Sequence, residues 1–451
     1  MGHLSSHGNL SVTSSGEVTQ SGPLLVTGTS SITAIGQSVT LNDAGNDFTG
    51  VVTVNAGTTN LHSANALTAV LTTTGNTALT AAGNLVVSGT VSGGGLSTTT
   101  TNAGTTQFGV TAVGGVLTTT SAGAIGQTGA LSVTGTSSLA AGSVNDITLG
   151  NANNRFTGVV SVLSGKDVTL GDSGALVLGS INAARLDASA SGALTNSTDA
   201  ILTVTGKASF SGGGIRLGKQ TGDALNFGSL SFNSTGDVEI AEDSSTQLAG
   251  SNTAASLVLN ARGTITNATG ASLSVTGTTG LTAHDGTNTQ SITLDSANNS
   301  LGGDVSASGD HITLVNTGAL SLAAVSASGN LSVTAVGVSQ TSDGLAVVGS
   351  TSINAGAGAI TLSSENTLTG AVSLNNSGAH NVSLKNSQAT VLGTSSLGTG
   401  RLSVSSDGAI TQSGAIVQTA NAGSVSITAT GQSVTLSDAG NDFTGVVNVN
   451  A

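Results

Sequence analysis

Cysteine, tryptophan and tyrosine are absent from this sequence of 451 residues, which contains only 1 proline, 1 methionine and 7 phenylalanines. The absence of cysteine excludes disulfides and cysteine-ligated metal sites, and it is compatible with an exported protein. The single proline and the lack of glycine at every third position exclude a collagen-like triple helix. Charged residues make up 7% of the chain and hydrophobic residues 37%. The chain is therefore too apolar and too poor in charge to be an ordinary disordered protein.

Basic residues are also scarce, because 9 Lys and Arg stand against 22 Asp and Glu, and the first of them is Arg155. The resulting net charge of −13 disfavours binding to a phosphate backbone, so we expect no nucleic-acid partner. No apolar run approaches the roughly 18–20 residues that span a bilayer, so we expect no transmembrane segment. The N-terminus lacks the basic and apolar regions of a signal peptide. We interpret residues 1–8 as a trimmed or foreign N-terminal segment and residues 9–451 as a continuous repeat region cut from a longer array.

Glycine is abundant, with 66 residues, and Thr, Val, Ser and Asn are plentiful. Several helix-favouring residues, namely Glu, Lys, Arg, Gln and Met, are scarce, and the Ala and Leu residues are interspersed with Gly and β-branched residues. This composition favours strands and turns, and it predicts an all-β protein.

Two motifs recur in a fixed order along the chain, which indicates an internal repeat. The first resembles GAITQSG, and its copies begin at Gly16, Gly123, Gly192, Gly263, Gly337 and Gly408. Copies of the second motif at 32–56 and 427–451 differ at 3 of 25 positions, and looser copies begin at Ile147, Ile215, Ile292 and Ile360. The positions of the first motif predict six super-repeats of about 71 residues, with about half a unit extra in the first.

Within each super-repeat, apolar residues alternate with hydroxyl residues over short stretches such as Ile360-Thr-Leu362. Alternation with period two predicts half-buried strands, and the Gly, Asn, Asp and Ser clusters between them predict tight turns. In Gly50–Val54, for example, alternation places Val52 and Val54 in the core and Thr53 on the outside.

Two architectures contain so many short strands: a string of β-sandwich domains and a continuous β-solenoid. Sandwich domains usually have bulky aromatic cores and linkers, which 7 Phe and 1 Pro do not supply. A solenoid buries small aliphatic residues between successive coils. We therefore predict a parallel β-helix, and coils of about 18–24 residues would give about 19–25 of them. Phe48, Phe156 and Phe443 occupy one motif position, which we expect to fill the core, and other copies have Leu301 and Leu368 there.

The repeats resemble the shaft of filamentous-haemagglutinin-like exoproteins, which are bacterial adhesins exported by two-partner secretion. The resemblance lies in the Gly/Ser/Thr/Asn/Ala-rich texture, the LSVTG and ITL strand units, the GAITQSG-like turns and the absence of Cys, and it covers essentially the whole chain. The secretion domain of that family carries Asn-Pro motifs, whereas the only proline here, Pro23, follows Gly22. The resemblance implies a right-handed parallel β-helix on or beyond the outer membrane.

Carboxylates and histidines are the residues that catalysis or metal binding would need, and they form no recurring set. Asp43 and Asp47 are matched by Asp438 and Asp442, but other copies of the motif have Asn, Ser or Arg there. We interpret these pairs as solvated turns, and isolated calcium sites in them remain open. The chain offers two His/Asp neighbours, His284-Asp285 and Asp310-His311, and a His3/His7 pair near the N-terminus.

We therefore predict no catalytic residues, no metal-binding residues and no cofactor, and a protein that is not an enzyme. Threonine-rich stretches at 72–74, 98–101 and 118–120 are too irregular for an ice-binding array. They are interpreted as strand residues.

The sequence predicts the structural stalk of a large secreted bacterial surface adhesin, which holds a binding tip away from the cell. The alternative is a self-assembling extracellular fibre or sheath subunit made of stacked solenoids. Expected partners are a host or neighbouring-cell surface or a matrix polysaccharide, bound through regions outside this segment, and end-to-end or lateral self-association is a further expectation. The predicted location is secreted, at the bacterial outer cell surface.

Overall fold

The structure, a computed structural model, describes all residues from Met1 to Ala451. It is an all-β parallel β-solenoid of about 22 coils without helices. This confirms the predicted fold class, and the number of coils lies within the predicted range. No helix that could span a bilayer is found. The chain divides into two compact units, Met1–Gly228 and Ser229–Ala451.

Strands of two to fifteen residues account for most of the first unit. They are β1 (Leu4–Ser6), β2 (Leu10–Thr13), β3 (Val18–Thr19), β4 (Leu24–Val26), β5 (Ser30–Ala34), β6 (Val39–Leu41), β7 (Asp47–Phe48), β8 (Val52–Ala56), β9 (Thr59–Ser63), β10 (Leu67–Thr73), β11 (Thr77–Ala81), β12 (Leu85–Val91), β13 (Leu96–Thr100), β14 (Thr106–Val113), β15 (Leu117–Thr120), β16 (Ile125–Gln127), β17 (Leu131–Val133), β18 (Ser137–Ala140), β19 (Ile147–Leu149), β20 (Arg155–Phe156), β21 (Val160–Asp172), β22 (Leu176–Ala190), β23 (Ala193–Asn196), β24 (Ile201–Gly212), β25 (Gly214–Leu217) and β26 (Ala224–Ser234), which contains the division.

The second unit continues in the same style. Its strands are β27 (Val238–Glu242), β28 (Thr246–Leu248), β29 (Ser251–Ala254), β30 (Leu257–Ala261), β31 (Ile265–Asn267), β32 (Ser272–Val275), β33 (Thr279–Ala283), β34 (Ile292–Leu294), β35 (Ser300–Leu301), β36 (Asp304–Gly309), β37 (Ile312–Val315), β38 (Leu320–Ala327), β39 (Leu331–Thr334), β40 (Val338–Gln340), β41 (Leu345–Val347), β42 (Thr351–Asn354), β43 (Ile360–Leu368), β44 (Ala371–Asn375), β45 (Val382–Asn386), β46 (Thr390–Leu392), β47 (Ser395–Leu397), β48 (Leu402–Ser406), β49 (Ile410–Gln412), β50 (Ile416–Gln418), β51 (Val425–Thr428) and β52 (Val447–Asn450).

Each coil has three strand segments, one on each of three faces. In the first unit, β17, β18 and β19 form one coil; β20 pairs with β17, and the long strand β21 pairs with both β18 and β19. In the second unit, β39, β40 and β41 form a coil on which β42 and β43 stack in the same way. All these pairings are parallel, so backbone groups of one coil bond to the next coil, and the core is the column of side chains enclosed by the three faces.

Side chains alternate between this core and the solvent, as period two predicts. Val52 and Val54 are fully buried and Thr53 is exposed, which confirms the assignment made from the sequence. Val52 stacks between Ser30 of one neighbouring coil and Ala69 of the other. Small and medium side chains thus fill the interior in columns, and this is how a core can form with so few aromatic residues.

Replacing Val52 by Ala should cost about 1–3 kcal/mol, because it removes two buried methyl groups between stacked coils. Thr53→Ala, one residue away on the outside, should change stability by less than about 0.5 kcal/mol. Amide hydrogen exchange on the two variants measures both effects, and the loss of protection should stay near the substituted coil. Equal deprotection of residues 427–451 by Val52→Ala would contradict this.

Within each of the two units, the GAITQSG-like motif moves from one face to the next with each super-repeat. From Ile265 the inward column runs through Ile292 and Ile312 to Leu331, three coils further on, and the next strand of that coil carries the motif residue Val338. From Val338, three further coils lead to Leu402, and the next strand carries the motif at 410–412. A super-repeat is therefore three coils plus one face.

The first interval follows the same rule with whole coils added. Val18 leads through five coils to Leu117, and the motif residue Ile125 begins the next strand. From Ile125, three coils lead to Leu186, after which Leu194 lies on the next face. The half unit that the spacing indicated is thus two complete coils, which leave the order of faces unchanged.

Candidate functional site

The recurring polar residues of the two motifs meet in the structure as partly buried pairs of amide side chains. Gln20, from the first motif, contacts Asn46, from the second motif, on an adjacent coil. We call each such pair an amide clasp. In the Gln20–Asn46 clasp, Gln20 Nε2 donates to Asn46 Oδ1 at 2.7 Å and Asn46 Nδ2 donates back to Gln20 Oε1 at 2.9 Å.

The same reciprocal arrangement recurs along the chain. The other amide clasps, with their two N–O distances, are Gln127–Asn154 (2.7 and 2.8 Å), Gln340–Asn366 (3.1 and 3.0 Å) and Gln412–Asn441 (2.9 and 3.0 Å). In the fourth super-repeat Asn267 replaces the glutamine, and Asn299 Nδ2 donates to Asn267 Oδ1 at 3.2 Å. In the third, Asn196 Oδ1 instead accepts the backbone N–H of Gly218 at 2.9 Å.

The asparagine of each clasp also ties two stretches of backbone together. Asn46 Oδ1 accepts the amide of Leu24 at 2.8 Å, and its Nδ2 donates to the carbonyl of Leu41 at 3.0 Å. Asn154 does the same with Leu131 and Leu149. The side chains of Asn46 and Asn154 are completely buried, so these bonds satisfy polar groups that would otherwise be stranded in the core.

The aspartates that flank the buried asparagine serve the turn itself. Asp43 Oδ1 accepts the amide of Gly45 at 2.8 Å, and Asp438 Oδ1 accepts that of Gly440 at the same distance. These are local turn-closing hydrogen bonds. No group of three or more His, Cys, Asp or Glu side chains is placed to hold a metal ion.

The two His/Asp neighbours lie on loops of the second unit. Asp285 closes the loop that follows β33, and the backbone N–H groups of Asn288 and Thr287 hold the pKa of its carboxyl below the usual range. Asp310 accepts a hydrogen bond from Ser328 at 2.9 Å, while His311 Nδ1 accepts the amide of Asn330 at 3.0 Å. The Ser328 hydroxyl thus donates its hydrogen bond to Asp310, and Nδ1 of His311 accepts one from the backbone. These three residues therefore lack the serine–histidine hydrogen bond of a nucleophilic site.

The threonine-rich stretches contribute to the interior as well as to the surface. Thr98 donates to Thr119 on the next coil, and Thr100 shares a hydrogen bond with Ser121, both at 3.0 Å. All four side chains are buried. These strands therefore carry an internal hydroxyl ladder where other coils have Leu or Val.

The phenylalanine position of the second motif fills the core. Phe48 and Phe156 are buried, as are Leu301 and Leu368 in other copies, which confirms the sequence prediction for these residues. Phe443 is only half-buried, because it lies in the last coil of the chain.

The residues that recur in most copies are thus neutral amides, and their hydrogen bonds join neighbouring coils. Sequence reasoning concentrated on the aspartates and missed the asparagine between them. A signal was available, since Asn46, Asn154, Asn299, Asn366 and Asn441 recur while the neighbouring aspartates vary.

Comparison with known proteins identifies one match. A family model described as "Repeats of unknown function (DUF5649)" matches six stretches: residues 1–55, 93–163, 165–232, 235–308, 309–375 and 379–450. The stretch between the first two matches, residues 56–92, contains β9 to β12, which are the two additional coils of the first interval. No curated protein and no solved structure matches the chain.

Proposed function

The chain belongs to the family of repeats of unknown function (DUF5649), and on that premise we propose that it is the structural shaft of a large secreted bacterial surface adhesin. The shaft holds a binding tip away from the cell. The tip, which contacts a host or neighbouring-cell surface or a matrix polysaccharide, lies outside these repeats.

This proposal rests on one observation: the recurring residues of the repeats make contacts between neighbouring coils. The clasp residues, the inward aliphatic residues and the phenylalanine position all join one coil to the next. In a solenoid, cohesion between neighbouring coils determines how far the array can extend, because stability is approximately a sum over coils and their interfaces. Repeats of this kind support a load-carrying spacer.

The outward side of the strands also suits a spacer. On one face of the second unit, successive coils place a partly exposed hydroxyl residue in a single column, which consists of Thr266, Thr293, Thr313, Ser332, Ser352 and Ser373. Small uncharged polar groups keep such a surface hydrated and leave no large apolar patch for unspecific contacts.

Changing the number of repeats in the full-length parent protein tests the proposal. Deleting residues 312–371, which lie within one family repeat, removes three complete coils, because Val372 occupies the stacked position of Ile312 three coils further on. The surface-attached particles seen by electron microscopy should then be shorter by roughly 14 Å. Binding of the purified, shortened protein to its target surface in solution should stay unchanged. Loss of binding by the purified tip-containing protein in solution, with the fold intact, would assign the recognition site to the repeat itself.

The same micrographs address the alternative, a self-assembling extracellular fibre or sheath subunit made of stacked solenoids. Single cell-attached particles support the shaft. Continuous polymers much longer than one chain would support the fibre and contradict the shaft.

A further inference from the structure

Four charged side chains lie in one outward column of the first unit, which we call the charge ladder. It consists of Asp146, Asp167, Arg185 and Lys207, on four successive coils. Asp167 and Arg185 are direct strand partners, and the carboxylate of Asp146 accepts the backbone N–H of Asp167 at 3.3 Å. The residues that follow the four in sequence are themselves stacked partners, which fixes the register of the column.

The ladder has two negative charges followed by two positive charges. Successive members are about 4.8 Å apart, because that is the spacing of paired strands. All four side chains face solvent. A groove of about 390 Å³ runs along this face and is lined by Asp167, Arg185 and Lys207 of the ladder together with Thr169 and Asp187.

Stacking like charges on neighbouring strands is unfavourable within a single chain. At the acidic end, Lys166 offsets the repulsion, since its Nζ lies 4.0 Å from Asp146 and 3.9 Å from Asp167. At the basic end, Asp187 lies one outward position beyond Arg185. The face therefore carries three acids and three bases. This balance of charge disfavours a polyanion as its ligand. It does not explain why the two acids of the ladder precede the two bases.

We propose that this face pairs with the same face of a second copy of the chain, in antiparallel orientation about a two-fold axis. The axis lies between the Asp167 and Arg185 positions of the ladder. Asp146 then faces Lys207 of the second copy and Asp167 faces its Arg185, and each contact occurs twice, as two-fold symmetry requires. A parallel arrangement would place each charge opposite its own kind.

The neighbouring outward residues are compatible with this pairing. In the next column Asp187 comes opposite Thr169 of the second copy, and Ser209 comes opposite Thr148, so that hydroxyl groups face the remaining carboxylate and one another. Val144, which is 77% exposed, lies on the turn before Asp146, and Leu163, which is 60% exposed, lies in β21 at the register shift before Asp167. They offer apolar contact at the rim of the interface.

Sedimentation velocity of the full chain at about 10–100 µM tests the pairing, and we expect a monomer–dimer equilibrium that weakens as salt is added. The double variant Arg185→Asp/Lys207→Asp makes the ladder wholly acidic, and Asp146→Lys/Asp167→Lys makes it wholly basic. Each should raise the dissociation constant by about tenfold or more, because like charges then face each other. Mixing the two variants should restore association as a heterodimer.

A matched control places the same change of charge on another part of the chain. Arg155→Asp/Arg401→Asp alters the net charge as much as Arg185→Asp/Lys207→Asp does, but it leaves the ladder intact. It should dimerise like the parent. Circular dichroism confirms that each variant is folded. The proposal is overturned if the parent stays monomeric at 100 µM, if the control dissociates as strongly as the ladder variants, or if the mixture of folded variants fails to associate.

Discussion

Deletion of residues 55–89 should leave a folded solenoid that has two coils fewer and keeps its other coils intact. The deletion joins Val54 to Thr90, and Thr90 already occupies the stacked position of Asn55 two coils further along. Inward and outward residues keep their places, and Val91 takes the core position of Ala56. Stability in a solenoid is approximately additive over coils, so the shortened chain should lose only the stability that the two deleted coils contributed.

Hydrogen exchange of β13 to β17 measures the outcome. We expect protection within about tenfold of the parent. A control deletion of residues 55–78 joins Val54 to Leu79, which places two inward residues side by side and continues a strand on the wrong face. This variant should lose at least about a hundredfold in protection over the same strands. If the two deletions behave alike, the coil boundaries assigned here are wrong.

Breaking an amide clasp should destabilise its coils by about 2–4 kcal/mol. Asn46→Ala removes the partner of Gln20, of the Leu24 amide and of the Leu41 carbonyl in one step, and it leaves buried polar groups without hydrogen bonds. The measurement is the local free energy of opening from hydrogen exchange in β3 to β7. Asp47→Ala, at the residue next to Asn46, is the matched control and should cost less than about 1 kcal/mol.

A double-mutant cycle isolates the clasp from the other roles of Asn46. Gln20→Ala and Asn46→Ala together should cost clearly less than the sum of the single substitutions, because the amide–amide contact is lost only once. Strict additivity would show that the two side chains act independently. The Gln127–Asn154 clasp provides a second cycle in the same unit, with hydrogen-bond distances that differ by no more than 0.1 Å from those of the first.

The fold was predictable because its determinants are local. Alternation such as that in Val52–Val54, and turn clusters such as NDAGND, specify strands and turns without knowledge of their neighbours. The face occupied by each motif was not predictable, since the chain length between stacked residues varies. The chain is longer between Ile265 and its stacked partner Ile292 than between Ile312 and its stacked partner Leu331. Loops of different length therefore hide the constant advance of one face per super-repeat.

The clasp and the charge ladder escaped sequence reasoning for the same reason. Gln20 and Asn46 become partners only when the coil length brings them together, and no spacing rule in the sequence marks them as a pair. In the ladder, Arg185 and Lys207 belong to coils whose register includes irregularities. The sequence pattern indicates turn positions for asparagine, whereas the buried asparagines of the clasps bind side chains and backbone of neighbouring coils.

The advance of one face per super-repeat has a consequence for anything that recognises the repeat from outside. Within the second unit, the motifs at Ile265, Val338 and Ile410 lie at three different azimuths, so the copies wind around the axis like the thread of a screw. An antibody, a protease or a phage protein that recognises the features shared by these copies would find one copy on each of the three faces of this unit. A substitution in a single copy alters only one of the three faces, and all three copies of this unit must change before the shared features disappear from each face.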